Sequence, residues 1–77
     1  MLFSKKQTFI YTEHALLRMS QRQISKSLVL EVLYSVRMRF HKGAMRFEKG
    51  GLIVILDKKS KHRIITVYLD GEDDALS

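Results

Sequence analysis

The chain contains no cysteine and no proline. Without cysteine there is no disulfide framework and no thiolate metal site to staple a small fold. The absence of proline argues against a loop-built or linker-like chain. Long apolar runs are also missing. The longest, LIVIL at residues 52–56, falls far short of the ~18 residues that a membrane span requires. The opening MLFSKKQTF lacks the apolar segment of a secretory leader. A cytoplasmic, reducing location is therefore the expectation.

Acidic residues are scarce as well, and they are unevenly placed. Eight Asp and Glu oppose fourteen Lys and Arg over 77 residues, and Asp70, Glu72, Asp73 and Asp74 all lie in the last eight. Residues 1–69 hold all fourteen cations against four acids, a formal +10. A body this basic favours a polyanionic partner, nucleic acid foremost. The 45% apolar content is globular rather than disordered. The length fits one domain, residues 1–69, with 70–77 as an acidic tail able to fold over the basic surface.

The hydrophobic pattern predicts an α+β fold. Residues 8–11 form a short apolar run, expected as a small strand leading into the first helix. Thr12 is a good N-cap for a helix over 13–23, with Ala15, Leu16 and Met19 on its apolar stripe. Ser25 caps a second helix reaching about residue 35, and Leu28, Val29, Val32, Leu33 and Val36 share one of its faces. Leu30 and Tyr34 form a second apolar pair, suited either to packing on the first helix or to self-association as a homodimer. After Val36 the period changes to two. Strands are expected around 38–41, 44–48, 52–56 and 62–69, with turns at Lys42-Gly43, at Lys49-Gly50-Gly51 and over 57–61. LIVIL is apolar throughout and should be a central strand covered on both faces. On the last strand, Ile65, Val67 and Leu69 fit the buried face. His62, Ile64, Thr66 and Tyr68 fit the other. The expected architecture is two N-terminal helices packed on a twisted three- to four-stranded antiparallel sheet.

Folding does not account for the column His14, Arg18, Arg22. At ~100° per residue, steps of four put the three side chains on one slanted stripe bordering the apolar face. Arg donates bidentately to phosphate oxygens, and His moves a proton near neutral pH. Such a column suits phosphate chemistry, although it equally suits a solvated helix edge paired with carboxylates such as Glu48 or Asp57. Thr66 and Tyr68 add two hydroxyls on one strand face. A second basic set, Arg37, Arg39 and His41 with Arg46 and Arg63, is interleaved with aromatics as single-stranded nucleic-acid surfaces often are. Three scattered histidines beside arginines are a poor cation site, so no metal and no cofactor are expected.

The segment TEHALLRMSQRQIS, residues 12–25, resembles the HA..RM..R.I opening of a small bacterial domain-of-unknown-function family. IITVY, residues 64–68, resembles that family's closing strand. The similarity spans about residues 8–69. The family resembles the barnase–EndoU–colicin–RelE (BECR) class of nuclease toxins. The resemblance implies a metal-independent RNA endonuclease of bacterial toxin type, cutting by 2′-hydroxyl attack to leave a 2′,3′-cyclic phosphate and neutralised by an antitoxin or immunity protein. It implies that His14 acts as acid or base, that Arg18 and Arg22 hold the phosphate, and that Thr66 and Tyr68 complete the site. Gln23-Ile24 departs from the Gly-Ile of the family's turn, which implies a tighter or a strained turn here. Fold-class membership does not confer activity, so the alternative expectation is a non-catalytic module that binds nucleic acid or an acidic protein.

Overall fold

The computed structural model describes residues 9–71; the acidic tail beyond Gly71 lies outside them. The elements in chain order are β1 (Ile10–Tyr11), α1 (Glu13–Arg22), α2 (Lys26–Ser35), β2 (Arg39–His41), β3 (Ala44–Lys49), β4 (Leu52–Leu56) and β5 (Arg63–Leu69). They form an α+β domain whose single sheet has five strands in the order β1-β5-β4-β3-β2. The expected sheet of three or four antiparallel strands is corrected on two points. The small strand expected before α1 is present as β1 and joins the sheet as its fifth strand, and it pairs parallel to β5, Ile10 opposite Arg63 and Tyr11 opposite Ile64. The other pairings are antiparallel.

Local chemistry explains the element ends. Thr12 and Ser25 cap the two helices, their hydroxyl oxygens accepting from the backbone N–H of Ala15 and Leu28 at 3.1 Å each. At the end of α1, Ile24 N–H donates to Met19 O (2.8 Å) and Gln23 N–H to Ser20 O (3.3 Å). Gln23 sits at φ 55 and ψ 43, and Ile24 and Met19 are both buried. This is the Schellman arrangement, which normally places glycine where Gln23 stands. Lys42-Gly43 and Gly50-Gly51 connect adjacent antiparallel strands with positive φ at both positions, as two-residue hairpins require.

Both helices lie on one face of the sheet, α1 over β5 and β1, α2 over β3 and β4. The core between them contains Ala15, Met19, Val29, Val32 and Leu33 from the helices and Phe47, Leu52, Val54, Leu56, Ile64 and Val67 from the sheet. Ile53 and Ile55 point to the opposite face and are nonetheless buried. LIVIL is thus covered on both sides, as its uninterrupted apolar character predicts.

Three burial expectations are corrected, one being Leu28 of α2, which is 42% exposed. Leu16 is 43% exposed, because α1 touches only β5 and β1, and its buried arc narrows to Ala15 and Met19. On β5, Ile64 is buried, Ile65 only partly, and Leu69 is exposed. For Ile64 and Ile65 the cause is a β-bulge: Ile55 pairs with Thr66 but Leu56 pairs with Ile64, leaving Ile65 as the extra residue. A bulge shifts the inside-outside alternation by one, so a strict period of two misplaces everything before it.

Candidate functional site

The bulge is where α1 meets the sheet. An extra residue leaves backbone groups outside the ladder, and a buried carbonyl without a partner is costly. Here Thr12 Oγ1 donates to Ile65 O at 2.6 Å and Thr12 N–H donates to Ile64 O at 3.1 Å. One side chain therefore caps α1 and ties its first turn to β5. His14 follows two residues later and Thr66 is the residue after the bulge, so the structure brings their backbones to one junction.

The side chains divide at that junction. His14 and Arg18 are half-buried along the flank of α1, and Arg22 is exposed at its last turn. That gradient fits a stripe bordering the buried face. Thr66 is 5% exposed and Tyr68 half-buried. By register they stand opposite Ile55 and Ile53, on the face turned away from the helices. The column and the two hydroxyls thus approach each other only around the edge of β5. Beyond Ile65, β5 has no strand on its β1 side among the described residues.

A second cluster lies at the other end of the sheet. Arg37, Arg39, Arg46 and Lys49, with Val36, Glu48 and Gly50, line a concavity of about 450 Å³. Four cations and one carboxylate give the lining a formal +3. Arg46 pairs with Glu48 (3.0 Å) and Lys49 with Glu31 of α2 (3.3 Å). Arg37 and Arg39 are exposed and stand in no ion pair among the described residues. Of the expected basic set, His41 faces Ala44 beside the hairpin turn and Arg63 begins β5 next to β1. Neither lines the concavity.

Sequence reading assigns Thr12 only as a cap and Lys49 only as a turn residue. The clamp of Thr12 on β5 joins positions 53 residues apart, which no local pattern signals. Lys49 is within reach of such a reading, since the Gly50-Gly51 turn returns the chain beside the basic strands. Glu48 pairs with an arginine, but with Arg46 of its own strand rather than with the α1 column. Leu30 packs against the core, while Tyr34 is 40% exposed.

Tyr11 of β1 is partly buried against the core, with Lys26 Nζ 4.9 Å from its ring centre. Burial, and then the neighbouring Tyr34 phenol, push its hydroxyl pKa above the ordinary tyrosine value. Among the described residues no three His, Asp or Glu side chains are grouped as metal ligands would be, and no helix is long and apolar enough to cross a membrane. No protein-family model, no curated protein and no solved structure matches this chain.

Proposed function

We propose that the chain is a metal-independent endoribonuclease whose reacting centre lies at the junction of α1 with β5. The observation that carries the reading is the 2.6 Å hydrogen bond from Thr12 Oγ1 to Ile65 O. It fixes the start of the His14, Arg18, Arg22 column beside the strand segment holding Thr66 and Tyr68. The resemblance of HALLRMSQR and IITVY to the domain-of-unknown-function family that itself resembles the BECR nuclease class supports the same assignment.

The chemistry needs proton transfer and positioned cations. A ribose 2′-hydroxyl attacks the adjacent phosphorus as a base takes its proton. The bond from phosphorus to the 5′-oxygen breaks, and that oxygen receives a proton. The products are a 2′,3′-cyclic phosphate and a 5′-hydroxyl. His14 moves one of the two protons, and Arg18 and Arg22 hold the phosphate and the charge that builds up on it. Tyr68 reaches the site around the β5 edge and donates to a phosphate oxygen.

One observation favours a second reading. Thr66 and Tyr68 point to the face opposite α1, which suits a module that holds RNA without cutting it. RNA incubated with the protein in EDTA separates the two. The nuclease produces 2′,3′-cyclic phosphate ends that disappear with His14→Ala while binding persists. RNA bound intact by the parent protein leaves the module.

A further inference from the structure

The register of the sheet draws a line between the two clusters. Arg39 pairs with Arg46, Arg46 with Ile55, and Ile55 with Thr66. These four residues form one row across β2, β3, β4 and β5, on the face turned from the helices. Three strand spacings make the row about 14 Å long. Its outer end is in the basic concavity, and its inner end is the residue beside the bulge that Thr12 clamps.

The outer end is electrostatically unsatisfied. Arg39 and Arg46 are direct cross-strand neighbours, an arrangement in which like charges repel. Glu48 neutralises Arg46 alone, and Arg37 adds a further cation. Guanidiniums converging on one concavity are matched by phosphate oxygens, which accept their paired N–H donors. We propose that this concavity is a phosphate subsite for single-stranded RNA. It grips the backbone several nucleotides from the reacting end, which the register of the sheet sets about 14 Å away. Substrate preference then depends on length: an oligonucleotide reaching both ends of the row is held, and a dinucleotide is not. The inference rests on the reading above for RNA as the polyanion, but not for cleavage.

The test is direct binding of a fluorescent single-stranded oligoribonucleotide at several salt concentrations, with the parent protein, Arg37→Glu/Arg39→Glu and His14→Ala. Both arginines are exposed, and circular dichroism checks that each variant is folded. The charge-reversed variant loses affinity by about tenfold or more. Its salt dependence becomes shallower by about 0.7 for each phosphate it no longer neutralises. His14→Ala binds like the parent. In cleavage assays the charge-reversed variant raises KM for the oligonucleotide with kcat unchanged, and leaves a dinucleotide unaffected. Unchanged affinity and salt slope in the charge-reversed variant overturn the subsite, as does a response to poly-glutamate in place of RNA. Absence of cleavage by the parent protein overturns the nuclease reading alone, because the binding comparison does not depend on it.

Discussion

The two ends of the sheet are built on opposite principles. At the α1–β5 junction, backbone and side-chain hydrogen bonds tie together residues distant in sequence, and His14, Arg18 and Tyr68 are half-buried. At the β2–β3 end the groups are exposed cations on a short edge hairpin, partly neutralised by two glutamates. Proton transfer demands groups held in place with restricted solvent. Holding a flexible polyanion demands charge and tolerance of motion. On the proposed reading, chemistry belongs to the first region and grip to the second.

The largest effect is expected from removing the proton carrier. His14→Ala lowers the cleavage rate by about 10²–10⁴-fold with little change in RNA affinity, as read from cyclic-phosphate ends and from binding. An equal loss of both would merge the two regions into one. Next comes the clamp. Thr12→Val removes a helix cap and strips the Ile65 carbonyl of its donor, costing about 2–3 kcal/mol in urea unfolding. Cleavage falls with it, while the concavity keeps its affinity in the folded fraction. Gln23→Gly acts in the opposite direction. It relieves a left-handed residue at φ 55 and stabilises the domain by about 1 kcal/mol, with both functions unchanged.

Two smaller effects concern charge. A tyrosine whose pKa is higher folded than unfolded keeps its proton longer in the folded state, so stability declines as pH rises through about 10. Tyr11→Phe makes that decline shallower in alkaline thermal melts while preserving the ring under Lys26. The tail follows Leu69 at the rim of the basic concavity: Asp70 N–H donates to Gly51 O at 2.6 Å, and Gly50 lines the concavity. Neutralising Glu72, Asp73 and Asp74 to their amides raises RNA affinity several-fold at low salt, and the difference fades as salt screens it. Identical affinities at low salt would leave the tail without a part in binding.

Much of this organisation is legible in the sequence because it is local. Thr12 and Ser25 announce the helices, glycines and their neighbours announce the hairpins, and LIVIL announces the central strand. The basic column also falls where helical geometry places it. What is not legible is non-local. Nothing near Ile10 indicates pairing with Arg63, and nothing in HRIITVYL marks Ile65 as a bulge until Thr12 arrives as its partner. That one extra residue exchanges the roles of Ile64 and Ile65, while Thr66 and Tyr68, beyond it, keep the face that a period of two gives them. The concavity is half legible: Arg37, Arg39 and Arg46 stand out as charge. Their convergence with Lys49 follows from the register of the β2–β3 hairpin.

One RNA strand is expected to engage both ends of the sheet at once. Titrating ¹⁵N-labelled protein with a single-stranded oligonucleotide whose 2′-hydroxyls are replaced by hydrogen, so that it cannot be cut, reads this directly. Two sets of amide shifts should saturate together, one over residues 12–18 and 64–68 and the other over residues 36–39 and 46–50. Shifts confined to one set, or two sets saturating at different concentrations, would contradict a single strand spanning the sheet.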